Sequence, residues 1–296
     1  MTIAKAKPRL KVVRAMEPNR GLIQEFKRKI ARVVATARQE VIAAGLPLYQ
    51  EALAKQSSAL SLQANIKTDA MPSMFPPLLA AINEAEARAM IKAGEEAYKV
   101  SYWYARKMLR HVSLAQRRNL RKAGVSMAIL RQRWTAPLIK GQFIAPNTAN
   151  GIASEIEWAT KLITKMSKES IAKVQTEMAR GLEHGHSLSR LKGVLSQLEN
   201  MDEARAARVA RDQSCKLNQF IQRENNKSLG ITEGIWVHVP GLYESRATHM
   251  AMHGKKYDLN TGMYDPEVNQ FVQPAELPFC RCVFRAVIPT AILEKK

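Results

Sequence analysis

The sequence predicts a mainly α-helical protein with a small α+β module at its C-terminal end. Two observations support this fold class. Over most of residues 21–229, apolar side chains recur at spacings of three and four, which is the periodicity of amphipathic helices. From residue 235 onwards, the pattern changes to short β-branched and aromatic runs separated by turn residues. The chain has 296 residues, 46% of them apolar, so it can bury a sizeable core.

The first half of the chain is predicted to contain three helices. The first covers 21–44 and ends at Gly45 and Pro47, because both residue types disfavour a helix interior. Residues 55–78 are rich in proline and small polar residues and are predicted to form a loop or linker. The second helix covers 78–122 with a break near Gly94, and a short third segment covers 125–133.

The second half begins with three more predicted helices. They cover 153–181, 188–198 with Ser187 as the N-cap, and 201–229 with Gly230 as the stop signal. Two strands follow, at 235–239 and 283–287. Glycine, asparagine and proline residues between these strands predict turns. No apolar run approaches the roughly 18 residues that a membrane span needs.

Positive charge is concentrated in two segments. The chain has 46 Lys and Arg residues against 26 Asp and Glu, a formal net charge of +20. Residues 1–40 carry eleven basic and three acidic residues, and residues 97–154 carry eleven basic residues and no acidic one. Such a region repels itself unless an anion lies nearby, so nucleic acid or an acidic protein partner is expected there.

The candidate contact residues in the second segment are basic side chains: Arg106, Lys107, Arg110, Arg117, Arg118, Arg121, Lys122, Arg131 and Arg133. Aromatic residues lie among them, namely Tyr98, Tyr102, Trp103, Tyr104 and Trp134. Two interpretations remain open for the aromatic residues. They stack on bases, or they face a helical core while the basic groups face water.

The densest group of chemically capable residues lies between 244 and 282. The run 244–254 reads ESRATHMAMHG, and 277–282 reads LPFCRC. These two runs contain Arg246, Gly254, Pro278 and Arg281, and they are preceded by Trp236 and by glycines at 181, 185 and 230. The ordered set of motifs resembles the phage Mu F-like minor head protein family over about 155–287. Asp212-Gln213 departs from the usual Thr-Glu of the family, and His253 stands where many members carry an acid.

The resemblance implies a virion component. Members are minor capsid or head morphogenesis proteins that assist head assembly and contact DNA, a portal, or capsid and scaffold proteins. The protein is then expected in the phage head after synthesis in the host cytoplasm. The domains expected are a basic arm at 1–20, a basic helical region at 21–150 and a Mu F-like domain at 151–296. A free-standing nucleic-acid-binding protein and a metal-dependent nuclease are the alternatives.

Four residues form a possible structural zinc site. His249 and His253 share a face if they lie on one helix, and Cys280 and Cys282 point the same way if they lie on one strand. Two histidines and two cysteines are a tetrahedral zinc set by residue type, although only the histidine spacing is typical. The alternative is a plain helix with two buried thiols.

No catalytic residue is predicted. The metalloprotease motif would require Glu at position 250, which is Met, and no phosphate-binding loop or nucleophile elbow occurs. Cys215 is expected to be a buried, inert thiol. The remaining histidines (His111, His184, His186 and His238) are expected at the surface or in turns. The sequence therefore favours a non-enzymatic protein.

Overall fold

A computed structural model describes residues 11–62, 75–137, 143–240 and 244–293. The elements confirm a mainly helical chain whose small antiparallel sheets lie mostly in its C-terminal region. The helices are α1 (Arg20–Leu62), α2 (Phe75–Lys122), α3 (Met127–Arg133), α4 (Pro146–Glu183), α5 (Leu188–Ser228) and α6 (Ala247–Met252). The strands are β1 (Ala136–Pro137), β2 (Phe143–Ile144), β3 (Glu233–Val237), β4 (Lys256–Asp258), β5 (Met263–Asp265), β6 (Gln270–Val272) and β7 (Val283–Val287).

The described residues form two compact units, each built from separate stretches of chain. The sheet unit contains those within 1–23, 103–155 and 211–296, and the helical unit contains those within 24–102 and 156–210. The predicted boundary near 145–152 falls at the beginning of α4, and the division into 1–20, 21–150 and 151–296 stays a prediction. No helix in the described ranges is long and apolar enough to cross a membrane.

Helix α1 continues well past its predicted end at Gly45 and Pro47. Gly45 allows close packing in place of a stop, because an added Cβ would lie 2.7 Å from Met178 Sδ and 3.2 Å from the Ile82 side chain. Much of the predicted 55–78 loop is also helical, and its central part, 63–74, lies outside the described residues.

Two further predicted interruptions are absent from their helices. Helix α2 passes through Gly94 without a break, because one glycine costs only about 1 kcal/mol relative to alanine in a long helix. Helix α5 joins the two helices predicted at 188–198 and 201–229, since no glycine or proline separates them. Ser187 caps α5 as predicted, with its Oγ accepting the Arg190 N–H at 3.3 Å.

In the helical unit, a buried charged group links three helices. Arg38 of α1 is 1% exposed, and its guanidinium donates to Asp202 of α5 at 2.6 Å. The Ser170 hydroxyl of α4 donates to the same carboxylate at 2.5 Å. A buried charge is tolerated only when it is paired and hydrogen-bonded, and this group meets both conditions.

The main sheet of the sheet unit has the order β4-β3-β7, with every pair antiparallel. Strand β7 matches the predicted 283–287, and β3 begins two residues before the predicted 235–239. Residues 11–13 extend the sheet at β7, since Val13 N donates to Ala286 O and Ile288 N donates to Lys11 O, both at 2.9 Å. This part of the predicted basic arm is therefore paired with the sheet.

Helix α5 anchors the sheet unit through buried amide side chains. Asn225 is fully buried and donates to Ser113 and Gln116 of α2 at 3.2 and 3.0 Å. Its Oδ1 accepts the Thr148 hydroxyl of α4 at 2.9 Å. The side chains of Asn218, Gln219 and Gln222 all donate to the carbonyl of Met16. Hydrogen bonds of these amide side chains thus fix the positions of α2, α4, α5 and the N-terminal segment within this unit.

Candidate functional site

The antiparallel pairing of β3 and β7 brings a histidine beside a cysteine. Trp236 lies opposite Phe284 and Val237 opposite Val283, so the same register continues to His238 and Cys282. The contact is present, with His238 Nδ1 3.6 Å from Cys282 Sγ. Strand pairing therefore brings together two potential metal ligands that are 44 residues apart in the chain.

His249 and Cys280 form a buried cluster with Cys282 at the same point, and the partly exposed His238 lies beside it. Potential ligand atoms of His249, Cys280 and Cys282 all lie within 4.8 Å of one another. His249 Nδ1 is 3.4 Å from Cys280 Sγ and 3.6 Å from Cys282 Sγ. The two thiols share one side of the segment that precedes β7, as their spacing predicts. This cluster can hold a metal ion.

The His249 ring is fixed from two directions. Its Nε2 lies 3.2 Å from the carboxylate of Asp265, a fully buried residue at the end of β5. The indole of Trp236 packs edge-on against the imidazole, with the ring centroids 5.3 Å apart. These contacts leave Nδ1 directed at the two sulfur atoms, which is the orientation that a metal ligand requires.

The cluster favours a thiolate at Cys280. A hydrogen bond from the Cys282 thiol lowers the pKa of Cys280, and His249 acts in the same direction, while burial opposes both. Donating that bond raises the pKa of Cys282. Burial lowers the pKa of His249, but the bond to Cys280 and the charges of Cys280 and Asp265 raise it, and the net shift is upward.

The structure separates His253 from the cluster. Helix α6 ends at Met252, and His253 has an extended backbone with ψ of 130°, so the helical spacing from His249 does not apply to it. Its Nδ1 accepts the backbone N–H of His238 at 3.1 Å. His238, expected in a turn or at the surface, lies beside Cys282 instead. Only the pairing of β3 with β7 reveals this position, because the sequence near His238 carries no ligand motif.

The other motif residues close the loops around the cluster. Arg246 donates to the carbonyl of Pro278, and Arg281 donates to that of Pro240, each at 3.3 Å. Gly254 has a φ of 79°, which favours glycine, and its N–H donates to Trp236 O at 2.8 Å. These residues therefore stabilise the backbone conformation of the loops around the cluster.

Asp212 supports the segment that carries the cysteines. This buried carboxylate of α5 accepts the backbone N–H of Phe279 at 2.6 Å and lies 3.1 Å from Lys216 Nζ. Phe279 has a φ of 60°, which is unusual for a side chain of its size. The acid at 212 thus holds a strained turn next to Cys280, a role that the sequence did not indicate.

Most of the predicted basic contact residues are exposed. Those at the surface are Arg106, Lys107, Arg110, Arg118, Arg121, Lys122, Arg131 and Arg133. Arg117 differs, because it donates to Phe143 O at 3.0 Å and its guanidinium lies 5.5 Å from the Trp134 ring. Burial and then the charge of Arg131 lower the pKa of Arg117. Arg117 therefore stabilises the unit and is a poor candidate for partner contact.

The aromatic residues of this region divide between the surface and the core. Tyr104 and Trp134 are buried, and Trp134 donates to Ser228 Oγ at 3.2 Å. Tyr98 and Tyr102 are exposed, with their rings stacked at a centroid distance of 6.1 Å. Stacking on bases is thus unavailable to the two buried rings.

The third cysteine has the environment of an inert thiol. Cys215 is buried in α5, and burial raises its pKa to about 12. A thiol in this state is neither a nucleophile nor a ready metal ligand at neutral pH. Its expected structural role agrees with this environment.

Comparison with known proteins identifies the C-terminal region. Residues 172–285 match the family model described as phage Mu protein F like protein, a stretch that holds all of α5, strands β3 to β6, most of β7 and the cluster. A search of curated proteins finds no significant match, and a search of solved structures finds none either. The match indicates a phage head morphogenesis protein. Residues 172–285 of this chain are therefore similar to the phage Mu protein F like family.

Proposed function

We propose that this protein is a minor capsid protein of a phage head, a structural component that assists head assembly and contacts packaged DNA through the basic face of α2. The family match supports the assignment to the head. The observation that supports the DNA contact is a one-sided, exposed distribution of positive charge in the sheet unit. A portal or capsid protein with an acidic surface is the alternative partner.

The basic residues of α2 occupy one side of the helix. At 100° per residue, the six exposed ones from Arg106 to Lys122 and the half-buried Arg117 fall within about 160° of arc. The opposite arc carries the buried residues Met108, Leu109, Val112, Ser113, Gln116 and Leu120. The seven positions extend over about 24 Å at a rise of 1.5 Å per residue. This length matches several successive phosphates of one DNA strand.

The charge on this face is largely uncompensated. Within the described ranges, no carboxylate lies at ion-pair distance from Arg110, Arg118, Arg121, Lys122, Arg131 or Arg133. Other surface cations of the chain do have such neighbours, as in Lys161 with Glu157 and Arg180 with Glu177. A phosphate backbone would relieve the repulsion among the unpaired arginines.

The salt dependence of DNA binding tests the role of this face. The variant Arg110→Glu/Arg118→Glu/Arg121→Glu should bind duplex DNA more weakly, and the log–log salt slope should fall by roughly 0.9 for each phosphate that the variant no longer neutralises. The matched control is Lys161→Glu/Lys165→Glu/Arg180→Glu, which changes the net charge equally on α4. It should leave the slope near the wild-type value.

Two outcomes would contradict parts of the proposal. An unchanged slope in the α2 variant would remove DNA as the partner of this face and favour an acidic protein. Absence of the protein from both purified phage heads and assembly intermediates would refute the assignment to the head. Tight DNA binding combined with such absence would instead support a free-standing nucleic-acid-binding protein.

A further inference from the structure

We propose that His238, His249, Cys280 and Cys282 bind one zinc ion, with the two Nδ1 atoms and the two Sγ atoms as its ligands. The ion would connect the end of β3, helix α6 and the segment before β7. Its role would be structural, since all four tetrahedral positions are taken by protein atoms and none is left for substrate or water.

The interatomic distances agree with the edges of a zinc tetrahedron. Zn–S bonds of about 2.3 Å and Zn–N bonds of about 2.0–2.1 Å at tetrahedral angles place sulfur and nitrogen about 3.5 Å apart. The three sulfur–nitrogen distances in the cluster are 3.4, 3.6 and 3.6 Å. His249, Cys280 and Cys282 can therefore take up a metal ion with small adjustments, while the His238 ring, close to Cys282, would turn further towards the other two ligands.

The surroundings of His249 also match those of a metal ligand. Zinc-bound histidines generally donate their second ring nitrogen to a carboxylate or carbonyl group, which fixes the tautomer and the ring orientation. Asp265 occupies this position, 3.2 Å from His249 Nε2, and is itself held by the backbone N–H of Glu267 at 3.0 Å. Thiolate and imidazole ligands together favour zinc over magnesium or calcium.

The location explains what such an ion would contribute. Strands β4, β5 and β6 have three residues each, so backbone pairing alone supplies few hydrogen bonds here. The four ligands come from three separate stretches of chain, which the ion would cross-link. A structural metal adds its binding free energy to the stability of the fold that forms its site.

Metal content and cobalt spectroscopy test the site. The full chain should be purified with a tag other than polyhistidine, the tag removed, and zinc measured by elemental analysis. We expect one equivalent of zinc per chain. Cobalt(II) substituted into the same site should show the strong visible absorption of tetrahedral coordination and a thiolate charge-transfer band. Zinc below about a tenth of an equivalent, together with no cobalt spectrum, would overturn the proposal.

Variants distinguish the proposed ligand set from its neighbours. In competition with a chromogenic chelator, Cys280→Ser and Cys282→Ser should lower the zinc affinity roughly 100-fold or more, and His238→Ala at least 10-fold. The matched controls are Cys215→Ser for the thiols and His184→Ala, an exposed histidine outside the cluster, for the histidines, and both should bind zinc as the wild type does. A loss with His253→Ala and none with His238→Ala would overturn the assignment of the fourth ligand.

A test on the unaltered protein covers the case in which the cysteine variants fail to fold. Titration of the wild-type chain with an organomercurial that modifies thiols should release the zinc as two cysteines react. Release before any thiol reacts would contradict the proposal. A Cys280–Cys282 disulfide in protein purified under reducing conditions would contradict it too, because the thiolates would then be unavailable as ligands.

Discussion

His238 faces Cys282 across the β3–β7 ladder, one position beyond the last paired residues of the two strands, with His238 Nδ1 3.6 Å from Cys282 Sγ. The strand register sets this relationship, and no local motif specifies it. A slip of one residue would turn Cys282 to the other face of the sheet and dismantle the cluster. The geometry of the candidate site thus depends on the same hydrogen bonds that form the sheet.

The first prediction concerns Asp265, which orients His249. The variant Asp265→Asn keeps the shape of the side chain but removes its charge, so position 265 favours the Nε2–H tautomer of His249 less strongly. We expect zinc affinity to fall by roughly 10- to 100-fold, as is typical when such a supporting carboxylate is removed. Chelator competition measures this effect. The control is Glu267→Gln, an exposed neighbour that bonds to Thr248, which should leave the affinity unchanged. Equal affinities for wild type and Asp265→Asn would contradict this role.

The second prediction concerns Asn225, the buried amide that links α5 to α2 and α4. Replacing it by alanine leaves Ser113, Gln116 and Thr148 without their shared partner in a dry environment. Each buried polar group without a partner costs about 1–3 kcal/mol, so Asn225→Ala should lower the free energy of unfolding by at least about 2 kcal/mol. Urea denaturation of the full chain would show this loss. Asn200→Ala, at an exposed position on the same helix, should change the stability by under about 0.5 kcal/mol.

The sequence predicted the location of the helices and of the two longer strands, because their periodic apolar patterns depend on local structure, but it ended α1 too early and divided α5 in two. It placed false interruptions at Gly45 and Gly94, where tertiary packing or helix length outweighs the propensity of one residue. The strands β4, β5 and β6 are too short to show a periodic pattern. The contribution of His238 depends on strand register and that of Asp265 on the fold of the β5–β6 hairpin, so neither could be read from spacing.

The third prediction concerns the buried pair of Arg38 and Asp202. Removing Arg38 leaves Asp202 with only the Ser170 hydroxyl, and removing Asp202 leaves Arg38 with only the half-exposed Glu199 at 3.2 Å. Breaking a buried pair in this way typically costs about 3–5 kcal/mol. We expect losses of that size in unfolding free energy for Arg38→Met and for Asp202→Leu. The double variant should lose much less than the sum of the two, because it buries no unpaired charge. Additive losses in a double-mutant cycle would show that the pair is not coupled.

The last prediction is a pH dependence that arises from Glu155. Burial raises the pKa of this carboxyl, although Arg223 and Lys216 act against the shift. The folded state therefore holds the proton more tightly than the unfolded state does. Stability due to this group is present below the unfolded pKa of about 4.3 and is lost as the pH rises through the higher folded value.

Glu155→Gln removes that titration, so the variant should be more stable than the wild type at pH 7, and the difference should shrink towards zero as the pH approaches 4. Urea unfolding at pH 4, 5.5 and 7 measures the difference directly. Glu157→Gln is the control with the opposite sign, because the hydrogen bond to Lys161 lowers the pKa of Glu157 and its removal cannot stabilise the protein at pH 7. The raised pKa would be contradicted if the stability difference between Glu155→Gln and wild type stayed constant over this pH range. A group with the same pKa in the folded and unfolded states adds no pH dependence to folding, so its replacement would give such a constant difference.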